Sequence, residues 1–462
     1  MNFLKTLAKF SVGTWIQAAL GLITTPIIAW FITPEEFGKA SMFTLAFSLS
    51  LNIALLAIDQ GYARFYNESS DKGSILRASL LPIVFTCSLS LALIELGKHI
   101  ISPFLFDTPD GKDVHLLSIA LIIGVLLRIS TMTLRMQGSA SRFSFIQVIQ
   151  AIFNFCFVVL YAKFVAPNFK AILVGLILSQ FVGLVFGLAF NYKLWLTLFK
   201  RAPINKKLIG QILLYSLPFV PTFLLDWLFQ GVDRTFLRSY SDFTQIGLYA
   251  TASKIAFSLN VIQTGFTSFW FPYSLERYKN HPDDTSVYKT IFNALVFTFG
   301  TLILLIILFQ DVVLMILPKS YFGVLPIFPI LLFIPMLYTL SEVTVVGINY
   351  KRKTFQHLYI ISSSLVSNGI IAFFLVKPYG ALGAAISMLG GYIVFFCCRS
   401  YFGRKNYHID LDIKKLVISL GVIALAVLLA VISSPFFYVV GILGIALLVF
   451  MYKKDLLGIK KI

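Results

Sequence analysis

Long apolar stretches separated by short polar connections run through the whole chain. Thirteen stretches contain no Asp, Glu, Lys or Arg: 10–34, 40–58, 78–94, 114–127, 143–162, 171–192, 208–225, 255–275, 290–310, 320–341, 354–376, 378–398 and 416–452. A bilayer core of roughly 30 Å needs about 20 apolar residues in a helix, so each stretch predicts one membrane-spanning helix. The last predicts two, with a break at Ser433-Ser434-Pro435. The pattern predicts an all-α, polytopic membrane protein with about fourteen transmembrane helices. The continuous runs exclude a transmembrane β-barrel.

Composition leads to the same class of protein. Of the 462 residues, 58% are hydrophobic and 13% are charged, and the mean hydropathy is +0.87. A soluble protein carries about 25% charged residues. The formal charge of +18 is distributed in short clusters between apolar stretches rather than along one basic face, which argues against a nucleic-acid partner. The four cysteines lie in apolar stretches without a CxxC pair, so neither a disulfide framework nor a metal site is expected.

The distribution of Lys and Arg predicts the orientation. With both termini in the cytoplasm, most basic residues fall on the cytoplasmic side, as the positive-inside rule requires. The cytoplasmic clusters are Lys200-Arg201, Lys206-Lys207, Lys351-Arg352-Lys353, Lys414-Lys415 and Lys453-Lys454. Neither a GxxxxGK[ST] nor a GxGxxG motif occurs, so no nucleotide site and no other cofactor is expected.

An internal repeat predicts the domain organisation. Residues 34–49 are similar to 243–259, since in both a glycine (Gly38, Gly247) precedes an apolar span that contains Ala-Phe-Ser-Leu. The copies are about six predicted helices apart, and an even number of helices makes them parallel. We therefore expect two six-helix lobes around a central cavity and two appended helices, although chance similarity between apolar helices is the alternative. The predicted domains are 1–200, 201–400 and 401–462.

Several segments together resemble a known family. They are TPEEFGKA (33–40), DQGYARFYNE (59–68), RMQGSASRFSFIQVIQ (135–150), YSLPFVPTFLLDWLFQGVDRTFL (215–237), IGLYATASKIA (246–256), FWFPYSLE (269–276) and PYGALGAAIS (378–387). Their order along the chain is similar to that of the polysaccharide transporter family, the Wzx-type flippases of the multidrug/oligosaccharidyl-lipid/polysaccharide superfamily. The resemblance runs from the first span to about residue 400.

This resemblance implies a two-lobed, V-shaped, alternating-access fold in a bacterial inner membrane. It implies a non-enzymatic flippase that moves undecaprenyl-pyrophosphate-linked oligosaccharide repeat units, such as those of O-antigen, lipopolysaccharide or capsule, from the cytoplasmic to the periplasmic face. The expected partners are this lipid-linked substrate, membrane lipids and the polysaccharide polymerase and chain-length machinery. The alternatives are a multidrug or small-molecule exporter of the same superfamily and a membrane-embedded polymerase or glycosyltransferase.

Basic residues within the spans are candidates for substrate binding. A charged side chain in the hydrocarbon core costs at least ~2.5 kcal/mol, so it faces protein or a water-filled cavity. Arg128 and Arg135 are seven residues apart and share one face of the fourth span, and Arg64 ends the second span near Asp59. Under the family resemblance, these arginines would bind the pyrophosphate or the glycan. The alternative is that they are cytoplasmic anchors; Arg64 and Arg135 fit both interpretations, while the depth of Arg128 favours binding.

Acidic residues in the spans are candidates for coupling to H⁺ or Na⁺, since a desolvated carboxylate takes up a proton more readily. Besides Asp59, they are Asp226 and Asp233 in the seventh span and Glu342 in the tenth. The competing interpretation is a salt bridge of Asp226 or Asp233 with Arg234 or Lys254, because buried charges are normally paired. Those two cations are also substrate-binding candidates.

Two aromatic residues complete the predicted substrate site. Tyr249 and Trp270 would stack on sugar faces of the glycan. Aromatic belts at the membrane interface account for Tyr and Trp equally well.

Overall fold

Apolar helices dominate the computed structural model, which describes residues 3–199 and 205–459. Within those residues, every regular element is an α-helix or a short 3₁₀ turn. The helices of the first half are α1 Phe3–Ala29, α2 Pro34–Leu55, α3 Ile58–Tyr66, α4 Lys72–Leu96, α5 Lys98–Phe106, α6 His115–Met136, α7 Ala140–Phe164, α8 Phe169–Phe190, α9 Tyr192–Trp195, α10 Lys206–Ser216 and α11 Val220–Tyr240. The basic cluster Lys200-Arg201 lies outside the described residues.

The second half is built in the same way. Its helices are α12 Phe243–Ala256, α13 Asn260–Asn280, α14 Ser286–Leu308, α15 Gln310–Ile316, α16 Phe328–Leu331, α17 Phe333–Thr344, α18 Val346–Tyr350, α19 Gln356–Asn406, α20 Ile413–Val431 and α21 Phe436–Ile459. The 3₁₀ turns are Lys112–Val114, Leu196–Phe199, Leu217–Phe219, Phe257–Leu259 and Lys319–Val324.

The predicted spans fall on these helices. Among the described residues, ten helices are long and apolar enough to cross a membrane, and Trp15–Ala29 and Phe328–Thr344 are shorter apolar helices. Large apolar side chains such as Phe85 (71% exposed) and Phe450 (82% exposed) lie on the surface, where lipid would cover them. The chain is therefore a multi-pass, all-helical membrane protein, and the count of fourteen spans stays a prediction.

Helix α19 contains a break that fits two predicted spans. Its 51 residues would extend about 75 Å as one straight helix, more than twice the bilayer core. Gly380 has φ 53°, a left-handed conformation that glycine adopts without a steric penalty. Gln245 of α12 accepts a hydrogen bond from the backbone N–H of Ala381 at 3.0 Å, so another helix stabilises the break.

The chain divides into two compact units, unit 1 (Met1–Gly231) and unit 2 (Val232–Ile462). The division lies within α11, later than residue 200, because α10 packs against α3 and α4 of unit 1. At one such contact Gly61 of α3 approaches the Ser216 side chain so closely that a Cβ would lie 2.5 Å from its Oγ. The three predicted domains, 1–200, 201–400 and 401–462, stay a prediction.

Each unit has its own packing. In unit 1, α8 packs against α7 and α6, and the Glu36 carboxylate of α2 accepts a hydrogen bond from the N–H of Phe169 at the start of α8, at 2.8 Å. In unit 2, α14 packs against α20 and α21, and the Lys415 ammonium contacts the Asp455 carboxylate at 2.9 Å. These contacts attach the two appended helices to unit 2.

Candidate functional site

The second predicted span is broken in unit 1. Leu56 and Ala57, between α2 and α3, have φ 43° and 54°. A left-handed conformation costs roughly 1–2 kcal/mol for a residue with a side chain. The freed backbone is partly satisfied, since the Thr86 hydroxyl donates to the Ala54 carbonyl at 2.5 Å. Irregular backbone at membrane depth is tolerated where it is buried in protein or lines a water-filled cavity.

A cavity of about 220 Å³ lies beside this break and contains an ion pair. Asp59, in the first turn of α3, is 3% exposed, and its Oδ2 accepts hydrogen bonds from Nη2 (2.8 Å) and Nε (3.2 Å) of Arg128 on α6. The Arg128 side chain is 46% exposed. The structure therefore brings together two of the predicted site residues, 69 positions apart in the chain.

The amino-terminal half of α11 forms another wall of the cavity. The indole N–H of Trp227 lies 3.1 Å from the Leu45 carbonyl and 3.0 Å from the Ser48 hydroxyl, which holds α11 against α2. This contact places Phe223 and Asp226 at the cavity. Asp226 is exposed and accepts a hydrogen bond from Nε2 of Gln230 at 2.7 Å.

Arg64 and Arg135 do not line this cavity. Both side chains are exposed. Arg64 pairs with Glu68 one turn further along, and the Arg135 guanidinium lies 5.7 Å from the centre of the Phe143 ring.

In unit 2, Asp233 is a fully buried carboxylate that accepts hydrogen bonds from three neutral groups. Its Oδ2 accepts from the Tyr249 hydroxyl at 3.0 Å, and its Oδ1 accepts from the Ser387 hydroxyl at 2.9 Å. Asn368 donates to Oδ1 at 3.0 Å in the amide orientation that satisfies both groups. Among the residues that the structure describes, no ion pair within 4 Å joins Asp233 to Arg234, but the Arg234 charge acts on this carboxylate. Helices α11, α12 and α19 thus hold Asp233 by three neutral donors, and the choice between an ion-coupling site and a pair with Arg234 or Lys254 stays open.

Two cations of the predicted site lie on α11 and α12, and one of them, Arg234, interacts with the Asp233 charge. Arg234 is half-buried, and its Nε has no hydrogen-bond partner in the described part of the chain. Lys254, on α12, is exposed.

Glu342 is paired. Its carboxylate contacts Nη2 of Arg399 at 2.9 Å, and Nη1 of Arg399 donates to the Ser341 hydroxyl at 2.7 Å. The Arg399 guanidinium also lies 5.0 Å from the centre of the Phe395 ring. Both charged side chains are buried, so this pair joins α17 to α19 and neutralises the predicted coupling acid.

The two predicted sugar-stacking rings are buried. Trp270 is 1% exposed, and its indole N–H donates to the Glu342 carbonyl at 3.1 Å. Tyr249 is 2% exposed and donates to Asp233. Neither residue presents a ring face to a ligand in this conformation.

Several residues of these sites were not selected from the sequence as site residues. They are Asn52, Phe223, Asn368, Ser387 and Arg399. A polar residue inside an apolar stretch was the available signal for Asn52 and Asn368. Among the described residues, no three His, Cys, Asp or Glu side chains are grouped as a metal site would require.

Comparisons with known proteins identify a matching family and similar folds. A family model described as "Polysaccharide biosynthesis protein" matches residues 3–277. The chain is similar to the lipid II flippase MurJ in its inward closed conformation, at 16% identity and a TM-score of 0.71, over 97% of this chain and 99% of that one. It is similar to an inward-facing multidrug resistance MATE family transporter of the MOP superfamily, at 14% identity and a TM-score of 0.64, over 85% of this chain and 94% of that one. The chain is also similar to the Vibrio cholerae MATE transporter VcmN, at 16% identity and a TM-score of 0.57, over 87% of this chain and 96% of that one. No curated protein matches.

Proposed function

Because the chain belongs to the polysaccharide biosynthesis protein family, we propose that it is a flippase for lipid-linked oligosaccharides. Its substrate is an oligosaccharide repeat unit on undecaprenyl pyrophosphate, which it moves from the cytoplasmic to the periplasmic face of a bacterial inner membrane. Both termini lie in the cytoplasm, and the chain catalyses no bond change. The polysaccharide polymerase and chain-length machinery act on the product at the periplasmic face.

The family match over residues 3–277 carries this proposal, and Arg234 and Lys254 of unit 2 are the proposed pyrophosphate ligands. The Nε of Arg234 has no hydrogen-bond partner in the described part of the chain, and Lys254 is exposed. A pyrophosphate has several acceptor oxygens, which a planar guanidinium fork can bind two at a time and an ammonium can bind as a point charge. The exposed Arg64 and Arg135 would attract the same anion to unit 1 before it binds.

Translocation then follows an alternating-access cycle. The headgroup binds from the cytoplasm while the polyprenyl tail stays in the lipid, and a conformational change exposes the headgroup to the periplasm. A polar headgroup crosses the membrane only if protein groups or water replace its hydration. The substrate therefore shifts the conformational equilibrium by its differential affinity for the two states.

Asp233 is the proposed coupling site for H⁺ or Na⁺. A fully buried carboxylate bound only by neutral donors stabilises its surroundings best when it is protonated or when a cation neutralises it. The two hydroxyls and one amide around it can turn oxygen atoms toward a bound ion. Of the other candidates, Asp59 and Glu342 are neutralised by arginines, which favours Asp233.

Reconstitution tests the proposal. Purified protein in liposomes should move lipid-linked oligosaccharide, extracted from cells that lack the protein, to the opposite leaflet. Lys254→Gln and Arg234→Gln should each reduce the rate at least tenfold, since each removes a charged hydrogen bond to the phosphates. Lys163→Gln, an exposed lysine at the end of α7, is the matched control and should leave the rate unchanged. Equal rates in all variants and wild type would refute the pyrophosphate assignment.

A multidrug exporter is the second candidate. One observation favours it: the cavity of unit 1 has two carboxylates, Asp59 and Asp226, and one guanidinium, which suits a cation. An exporter would lower the accumulation of a lipophilic cation in cells that express the protein, whereas a flippase would leave it unchanged.

A further inference from the structure

The cavity of unit 1 does not suit a pyrophosphate. The Arg128 charge is already compensated by Asp59, which accepts from both Nε and Nη2. The second carboxylate at the cavity, Asp226, is bound by the neutral amide of Gln230. An entering anion would therefore meet one uncompensated negative charge and no uncompensated positive charge among the lining residues.

Besides a cation, the polar groups of the cavity can bind an uncharged ligand with several hydroxyls. Asp226 offers acceptor oxygens, and Asn52 offers both an acceptor and two donors. The Asn52 amide has no hydrogen-bond partner in residues 3–199 and 205–459, and neither has Nη1 of Arg128. A hydroxyl donates to the carboxylate and accepts from the guanidinium at the same time, so each sugar hydroxyl can satisfy two of these groups.

The remaining lining suits the apolar face of a sugar ring. Phe223 lines the cavity from α11, and Leu51, Leu55 and Ala57 line it from the broken second span. The C–H groups on one face of a pyranose pack against the electron-rich face of an aromatic ring. A mostly apolar wall with a few placed polar groups is the usual form of a small-molecule site.

The cavity has room for a single ring. Its volume is about 220 Å³, below the roughly 300–1,000 Å³ of pockets that bind drug-sized molecules. One monosaccharide unit fits this volume, and the rest of an oligosaccharide would extend beyond it.

We infer that this cavity is a subsite for one uncharged sugar ring of the transported oligosaccharide, with Phe223 stacking on the ring and Asp226, Asn52 and Arg128 binding its hydroxyls. The inference rests on the proposed function, because the ring belongs to the oligosaccharide that the chain is proposed to transport.

A binding measurement tests the subsite directly. The probe is the free oligosaccharide released by mild acid from the lipid-linked material of the same cells, and the readout is saturation-transfer NMR with purified protein. Wild type should bind the oligosaccharide, and Phe223→Leu and Asp226→Asn should each weaken binding roughly tenfold to hundredfold. Phe85→Leu is the matched control, because Phe85 is an exposed phenylalanine of α4 that does not line the cavity. It should bind as wild type does.

Competitors separate the ligand classes. Neither inorganic pyrophosphate nor tetraphenylphosphonium should displace the oligosaccharide at equal concentration. Displacement by pyrophosphate would make the cavity an anion site, and displacement by the phosphonium would make it a cation site; either result overturns the inference. It is also overturned if wild type does not bind the oligosaccharide, or if the Phe223 and Asp226 variants bind it unchanged.

Transport distinguishes failure of the subsite from failure of the proposed function. In liposomes, wild type should move lipid-linked oligosaccharide faster than bare undecaprenyl pyrophosphate, and Phe223→Leu should bring the two rates together. If Phe223→Leu keeps the wild-type preference while Lys254→Gln still stops transport, the subsite is wrong and the flippase proposal stands. If wild type binds the free oligosaccharide but moves neither lipid, the flippase proposal is wrong and the subsite stands.

Discussion

Buried carboxylates in this protein have two different environments. Asp59 and Glu342 each contact an arginine, at 2.8 and 2.9 Å, and are thereby neutralised inside the bundle. Asp233 is equally buried but is bound by hydroxyls and an amide. A paired carboxylate contributes to the assembly of helices, whereas an unpaired one is available for a proton or a metal cation.

Substitution of Asp233 should separate transport from its driving gradient. Asp233→Asn keeps the size of the side chain and removes the negative charge, and its amide nitrogen donates a hydrogen bond where one carboxylate oxygen accepted. In liposomes, we expect the acceleration of transport by an imposed proton or sodium gradient to fall at least tenfold. The thermal unfolding midpoint should stay close to that of wild type. Asp410→Asn, at an exposed aspartate with a 3.4 Å contact to Lys289, is the control and should keep the acceleration. If the gradient still accelerates transport by the Asp233→Asn variant, coupling depends on another residue.

Breaking the Asp59–Arg128 pair should destabilise unit 1. Arg128→Ala leaves the buried Asp59 charge without its partner, which costs about 2–3 kcal/mol once the partial exposure of Arg128 is considered. The double variant Asp59→Asn/Arg128→Ala should recover at least half of that loss, because no unpaired charge remains. Thermal unfolding in detergent measures the stability of the single and the double variant. Arg142→Ala, at an exposed arginine, is the control. Additive losses in the double variant would contradict the pairing.

Breaks in helices place the polar groups of both units. Leu56 and Ala57 end α2 and start α3, so that Asp59 occupies the first turn of a new helix, where the helix dipole also favours a negative charge. In α19 the break at Gly380 is stabilised by Gln245. Interrupted spans of this kind expose backbone and side-chain polar groups at membrane depth without exposing them to lipid.

Close helix crossing in unit 2 depends on two glycines. A Cβ on Gly403 of α19 would lie 2.0 Å from the Thr344 carbonyl oxygen, and one on Gly347 would lie 2.1 Å from the Gly403 oxygen. Gly403→Ala and Gly347→Ala should therefore each lower stability by about 1–3 kcal/mol. Gly369→Ala is the control: it has open space, and alanine favours a helix by roughly 0.5–1 kcal/mol. The thermal unfolding midpoints of all three variants test this prediction. An unchanged midpoint in Gly403→Ala would contradict the close helix crossing at this glycine.

The orientation of the whole molecule is testable by labelling. The positive-inside rule predicts Lys112 on the periplasmic side and Lys351 on the cytoplasmic side. In a variant without the four native cysteines, Lys112→Cys should react with a membrane-impermeant maleimide in intact spheroplasts, and Lys351→Cys should react only after permeabilisation. The opposite result would invert the orientation and with it the proposed direction of transport.

The membrane class, the all-helical fold and the positions of the apolar spans follow from the amino-acid sequence alone. These properties depend on the local length of apolar stretches and on where charges interrupt them, and both can be counted along the chain. The residues at which α2 ends and α3 begins were not determined in this way, because no glycine or proline marks the break at Leu56 and Ala57.

The pairing of charges depends on how the helices pack in three dimensions. Arg128 meets Asp59 across 69 residues, and Arg399 meets Glu342 across two helices, whereas Asp233 meets neutral donors although Arg234 is its neighbour in sequence. Sequence distance gives no information on such contacts, since they depend on how helices far apart in the chain pack. Burial of Trp270 and exposure of Phe223 to the cavity were decided in the same way, by the face that each helix turns toward its neighbours.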